Sequence, residues 1–253
     1  MADKKAKKGN VITILIIVAA AAVMIFALTN ILDIFGTYKR DADSYQELRA
    51  YAQMPEVDDT GTPISPRVID FNSLRAMNPE IVAWITVNDT NIDYPVLYGT
   101  DNSFYISHGA DKEANKSGAV FIDYYCSPDF SDQNTIIYGH NMKDGSMFAD
   151  LHKFEDADFA AGHPYVYIYT PDGEETIYKI FAAYQTPEDA ETYTISFADD
   201  DAFLAYIADC RAVSQITNDT QVTADDKIIT LSTCVQGQGT TRYVLQAVKV
   251  SQN

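Results

Sequence analysis

The sequence predicts a mainly β protein: a closed or nearly closed barrel of about eight short strands with helical additions, carried behind a transmembrane helix. Three observations predict it. From Ile81 onward, short runs rich in Val, Ile, Tyr and Thr recur between turn formers, which is how strands read. One convincing helix interrupts them late in the chain. A long uncharged apolar run lies near the N-terminus. A sandwich is the alternative arrangement of the same strands. The 253 residues suffice for one sizeable core with appendages and require no second full domain.

The elements follow in order. Residues 1–10, "MADKKAKKGN", form a basic tail. No charge occurs from Val11 to Leu28, and with Ile31 and Leu32 the run reaches the ~20 residues a spanning helix needs. We assign 11–32 as the anchor. Basic flanks stay cytoplasmic, which places the body outside the cell. A cleaved signal peptide would have an apolar region of only about 7–15 residues ending in a small-residue cleavage site. Here Ala19 to Ala22 sit mid-span with apolar residues after them, so a retained anchor is favoured. Residues 33–53 read as a helix leaving the membrane, with Tyr45, Leu48 and Tyr51 on one face. "MPEVDDTGTPISPR" has three prolines and a glycine and reads as a linker. We group 33–65 as a helical stalk and linker and 66–253 as the body. Asp70 caps a short helix that stops before Pro79.

Eight strands are then expected, in "IVAWITV", "IDYPVLY", "GAVFIDYY", "NTIIYGH", "YVYIYT", "ETIYKIFAAYQT", "KIITLSTC" and "RYVLQAVKV". "TPDGEE" joins the fifth and sixth as a hairpin with Asp-Gly at its centre. "DDDAFLAYIADCRA" is the late helix, with Ala202, Phe203, Ala205, Tyr206, Ile207 and Cys210 on its apolar side.

Charge narrows the functions. Of 18 basic and 36 acidic residues, four Lys and one Asp fall in residues 1–10; the remainder holds 14 against 35, a net of −21. Such a body repels nucleic acid, so DNA and RNA binding are set aside. It also argues against adsorption to anionic lipid through the body itself. Three cysteines, Cys126, Cys210 and Cys234, leave at least one thiol free whatever disulfide forms. No pair of Cys or His has metal-ligand spacing, so neither a metal nor a cofactor is expected.

Cys234 ends a strand and precedes the glycine-rich "VQGQGT". Of the four histidines, only His140 sits at a strand end beside turn formers, in "TIIYGHNMKDGSMF". Two strand ends at one rim can bring a His and a Cys together. A cysteine attacks as its thiolate and needs a base or a positive field nearby. A hairpin from Cys234 would return Arg242 close to the thiol, where a guanidinium could hold a thiolate or an oxyanion. The plain alternatives are a buried hydrophobe for Cys234, a structural role for His140 and a surface charge for Arg242. For Cys126 and Cys210 we take the plain reading, packing at a strand end and on a helix face.

Local sequence sharpens this constellation. "TLSTC", "IIYGHNM…MF" and a C-terminal strand opening with Arg resemble the sortase family. "NIDYPVLYGTDNSFYI", "GAVFIDYY" and "YGHNMKDGSMFADL" resemble its class B in particular, and the likeness runs from about Ile69 to Val250. The resemblance implies an eight-stranded sortase-type β-barrel with N-terminal helices and one late helix. It implies a membrane-anchored cysteine transpeptidase of Gram-positive bacteria, its catalytic domain extracellular. Cys234 would be the nucleophile, His140 the general acid and base, and Arg242 the stabiliser of the oxyanion or substrate. Asn102, Ile106, Ser232 and Tyr193 would hold substrate. The substrates would be surface proteins with a C-terminal sorting signal, cut after Thr through a thioacyl enzyme. The acceptor would be an amine of a peptidoglycan precursor or of a pilin lysine. No calcium dependence is expected, because no acidic cluster stands at a matched position.

Rival readings fit less well. An L,D-transpeptidase carries Gly immediately before its nucleophile and His two before it, where Thr233 and Ser232 stand here. A papain-like peptidase has Cys ahead of His, the reverse of this order. A non-catalytic extracellular β-domain would leave the His, Cys and Arg set without a role.

Overall fold

The computed structural model describes residues 2–53 and 67–250, with side chains from Leu15 onward except at several positions between 33 and 42. The segment 54–66, read above as a linker, lies outside the described residues. The chain divides into two compact units, Met1–Asp43 and Ser44–Asn253.

Helix α1 runs Ala2–Arg49. Its stretch Leu15–Leu32 has a mean hydropathy of 2.6 and no buried residue, so it is long and apolar enough to serve as a single-pass anchor. The sequence reading carried the helix that leaves the anchor to residue 53; it stops at Arg49 instead. No proline and only Gly36 interrupt the chain between Leu28 and Arg49, so nothing stops the helix from propagating that far. Tyr45 and Leu48 are buried in the core of the second unit. Tyr51 lies past the helix end, and Ala52–Gln53 form strand β1, paired with β2, Val68–Ile69.

Asp70 caps helix α2, Phe71–Met77, by accepting the Ser73 amide at 3.0 Å. Then come β3 (Ile81–Thr86), β4 (Asp93–Leu97), β5 (Val120–Ile122) and β6 (Asn134–Tyr138). Helix α3 (Ala157–Gly162) precedes the hairpin of β7 (Tyr165–Tyr169) and β8 (Glu175–Pro187). Its turn uses Gly173 at φ +85°, where a side chain would be strained. Helix α4 (Asp200–Val213), β9 (Ile228–Val235) and β10 (Gln238–Lys249) complete the chain.

The eight strands close into a barrel in the order β10-β8-β7-β3-β4-β5-β6-β9, which decides against a sandwich. Two pairings, β4–β5 and β6–β9, are parallel. Parallel neighbours need long crossovers, and these crossovers supply the loops that later wall the site. Along β10 the pleat alternates. Tyr243, Leu245 and Ala247 enter the main core. Val244 and Val248 face a second cluster with Phe203, Tyr206, Ile207 and Cys210 of α4. These four helix residues make an i, i+3, i+4, i+7 stripe. Ala205, expected on that face, is exposed, and Ala202 is only half-buried, because both flank the stripe.

A buried polar network ties α4 to the barrel. Gln246 Nε2 donates to Tyr206 Oη (2.6 Å), and Tyr206 donates to the Thr192 carbonyl (2.8 Å). Asn134 accepts from Thr230 (2.8 Å) and donates to the Thr194 carbonyl (2.9 Å). Asn134, Thr230 and Gln246 are fully buried, where an unpaired polar group is costly. Asn134→Ala is expected to lower stability by about 1–3 kcal/mol, measured by urea unfolding of the body's signal.

Candidate active site

Strand β9 sets the site. On one side it runs parallel to β6, with Tyr138 opposite Ser232 as the last pair. The ladder ends there; Gly139 N–H still donates to the Ser232 carbonyl at 3.1 Å, and His140 follows just past the strand end, as Cys234 follows Ser232 by two residues. On the other side β9 runs antiparallel to β10, and Arg242 lies directly opposite Cys234. The three residues all line one cavity of about 300 Å³. Asn102, Ile106, Ser232 and Tyr193 line the same cavity, so the structure brings together all seven residues singled out from the sequence.

His140 is half-buried, and its Nε2 lies 2.7 Å from the Ile106 carbonyl. A carbonyl only accepts, so Nε2 carries the proton and Nδ1 is left to exchange one. Gly118, at φ +58°, makes room for this arrangement. A Cβ there would meet the Tyr105 and Ile106 carbonyls at 2.6 and 2.7 Å and His140 Cδ2 at 3.0 Å. Gly139, just before His140, has Phe148 in the same position, 2.6 Å from where a Cβ would stand.

All three cysteines are free. Burial pushes the Cys126 thiol up to about 12 and raises that of Cys210 as well, so both stay neutral and inert. Cys234 is half-buried at the rim. Its backbone carbonyl accepts from Asn141 Nδ2 at 2.8 Å and pairs with His152 Nε2 at 3.2 Å.

Arg242 is held by its neighbours. Nη1 donates to the Gly239 and Thr241 carbonyls at 2.9 and 3.2 Å, and Nη2 pairs with the Glu188 carboxylate. A guanidinium has five N–H donors; among the described residues three are engaged, which leaves two for a ligand. Glu188, the Asn141 carboxamide and His152 were not singled out from the sequence. Asn141 adjoins His140 and could have been suspected, but nothing local marks Glu188, which arrives from the far end of β8.

The groove walls are equally ordered. Asn102 Oδ1 accepts the Tyr124 amide at 2.7 Å, and among the described residues its nitrogen has no partner. Tyr193 Oη and Ser232 Oγ share a hydrogen bond of 2.9 Å, and burial raises the Tyr193 phenol, so it stays neutral. Ile106 is 46% exposed at the mouth, an apolar surface available to a ligand. Among the described residues no cluster of His, Cys, Asp and Glu could hold a metal.

Asp101 braces the loop that carries Asn102 and Ile106. Its Oδ1 accepts from the Ser103 hydroxyl and amide (each 2.6 Å) and from the Phe104 amide (2.8 Å). These bonds, the Ser103 hydroxyl first, hold its carboxyl below the usual carboxylate range.

The comparisons with known proteins agree with this geometry. A family model described as "Sortase domain" matches residues 85–250. Sortase B of Listeria monocytogenes is 41% identical over 165 residues, 65% of this chain and 67% of that protein. Sortase B of Staphylococcus aureus is 30% identical over 181 residues, 71% and 74% of the two chains. Among solved structures, sortase B from B. anthracis in complex with AAEK1 has a TM-score of 0.74 at 32% identity, covering 86% of this chain and 100% of that one. A Staphylococcus aureus sortase B–substrate complex has a TM-score of 0.74 at 27% identity, covering 85% and 98%.

Two predictions test the site. Gly118→Ala should cut turnover at least about ten-fold by displacing the Ile106 carbonyl and the His140 ring, with Cys234 still alkylated in a mass-spectrometric assay. Asp101 should stabilise the chain only as a carboxylate. Its depressed folded pKa makes that contribution complete above the unfolded value of about 4 and lost as pH falls through the folded one. The melting-temperature gap between Asp101→Ala and the unaltered chain should therefore be open near pH ~7 and closed near pH ~2.

Proposed function

This chain belongs to the sortase family and is a transpeptidase of the B type; on that premise we propose Cys234 as its nucleophile, His140 as its general acid and base, and Arg242 as its oxyanion stabiliser. The observation that carries the assignment is that β9 sets Cys234 directly opposite Arg242 while His140, two residues past the last β6 pair, lines the same cavity.

The reaction has two halves. The Cys234 thiolate attacks the carbonyl carbon of a Thr in a C-terminal sorting signal. Negative charge gathers on that carbonyl oxygen, and the two uncommitted N–H groups of Arg242 stabilise it. The C–N bond then breaks, and His140 Nδ1 gives its proton to the departing amine while Nε2 stays on the Ile106 carbonyl. The thioester that remains is attacked by an acceptor amine, whose proton passes to Nδ1. A new amide forms and the thiolate is released. The reaction needs a thiolate and an imidazolium at the same time, so a bell-shaped pH–rate profile is expected.

The surrounding residues fit substrate binding. The Asn102 carboxamide nitrogen is available to a peptide carbonyl, Ile106 offers apolar surface, and the Tyr193–Ser232 pair gives a polar floor. The donors are surface proteins bearing a sorting signal, and the acceptor is an amine of peptidoglycan or of a pilin. Residues 1–10 form the cytoplasmic tail, 11–32 the span, 33–65 the stalk and linker, and 66–253 the extracellular catalytic body. The positive tail argues for this orientation.

The test uses the full-length chain in detergent with fluorogenic Pro-x-Thr peptides, with and without an added amine. Cleavage and amine-dependent ligation, read by mass spectrometry, should vanish in Cys234→Ala. In Arg242→Lys, kcat/KM should fall by about a hundred-fold. Equal signals from Cys234→Ala and the unaltered chain would refute the assignment.

A further inference from the structure

A second histidine stands behind the nucleophile. His152 lies on the 3-10 helix Ala149–Glu155 and lines a cleft separate from the cavity that holds Cys234. Its Nδ1 is 2.9 Å from the Glu155 carboxylate, and its Nε2 is 3.2 Å from the Cys234 carbonyl. Both partners are pure acceptors. Making both hydrogen bonds at once requires a proton on each ring nitrogen. The ring stacks on Tyr243 at 4.9 Å and 29°, and the fully buried Tyr243 pairs with Thr233, next to Cys234.

We propose that His152, held in its charged form by Glu155, is a positioning residue for Cys234. It acts in two ways. First, it steadies a backbone that the β-ladder supports poorly: the β9–β10 register breaks between Gln238 and Arg242, beside Cys234. The Cys234 carbonyl receives the Asn141 and His152 side chains at this break. Second, a cation one peptide unit from the sulfur favours the thiolate.

The other charged and titratable groups around His152 come from every element packed against it. Asp150 shares its helix and is paired with Lys153 at 3.0 Å. Lys143 comes from the loop after β6. Tyr243 comes from β10, its phenol raised by burial and therefore neutral. Cys234 itself comes from β9. Lys143, Asp150, His152 and Glu155 share a solvent-open cleft of about 480 Å³, so Glu155 is the carboxylate in contact and the pair is reachable by bulk protons.

This inference rests on Cys234 being the nucleophile, and the experiment separates the two. Full-length chain in detergent is compared with His152→Phe, His152→Gln, Glu155→Gln and Cys234→Ala. The readouts are melting temperature, iodoacetamide alkylation of Cys234 across a pH series, and peptide kcat and KM. His152→Phe keeps the stack on Tyr243 and loses both N–H groups; it should slow alkylation at neutral pH by about ten-fold, the equivalent of one pKa unit. Its kcat should fall in parallel, with KM and melting temperature little changed. Glu155→Gln, on an exposed side chain, should move the same way. His152→Gln keeps a donor on the carbonyl without the charge; it should recover part of kcat while its alkylation profile stays shifted to higher pH. An inactive Cys234→Ala alongside three variants that match the unaltered chain would overturn the role of His152 and leave the nucleophile standing. So would a loss in His152→Phe that follows its melting temperature while Glu155→Gln is unaffected. Activity in Cys234→Ala would remove both.

Discussion

The shared strand β9 is the constraint on which the site depends. It is hydrogen-bonded parallel to β6 and antiparallel to β10, so one strand indexes two neighbours at once. Because side chains alternate faces with a period of two, a one-residue slip on either side would turn His140 or Arg242 away from Cys234. The closed barrel prevents that slip. Each strand has two partners, and the buried faces of Ile229, Leu231, Tyr243 and Leu245 hold the register from within.

The two parallel pairings shape the rest. A parallel neighbour cannot be reached by a tight turn, so the chain must travel between β4 and β5 and between β6 and β9. The first journey carries Asn102 and Ile106 past the rim. The second carries Asn141, His152, Glu188 and Tyr193. The groove walls are thus the connections that the strand order requires, and their side chains fix them in place. Asp101 braces the first, and the Asn134–Thr230–Gln246–Tyr206 network anchors the Thr192–Thr194 turn of the second.

Charge is arranged against the background of an acidic body. Arg242 is clamped by two carbonyls and by Glu188, which localises the cation at the mouth of the cavity instead of leaving it to pair freely across an anionic surface. Two of its N–H groups remain available, and this suits a residue whose partner is a transient oxyanion. Of the two buried cysteines, Cys126 lies in the main core and Cys210 on the buried face of α4, where desolvation keeps them protonated. Thiol chemistry is therefore confined to the one cysteine at the rim.

Much of this was legible in the chain itself. The eight strands, the Asp70 cap, the Asp172–Gly173 hairpin and the apolar N-terminal helix follow from local rules: side-chain period, capping chemistry and the φ range open to glycine. His140 and Cys234 were visible because each stands at or beside a strand end among turn residues, and Arg242 because a hairpin after Cys234 returns it opposite the thiol. The end of α1 was misread because Ala52 and Gln53 pair with the distant Val68 and Ile69, which no local signal marks, and Ala205 because alanine fits either side of a helix. What the sequence determined, then, was which strands form and which side chains stand at their tips, since both depend on near neighbours along the chain. What only the tertiary structure decided was the closure of the barrel, the Glu188 clamp and the placing of His152 behind the Cys234 carbonyl. Those contacts join residues 54 and 82 positions apart, and no local pattern encodes which distant strand will lie alongside.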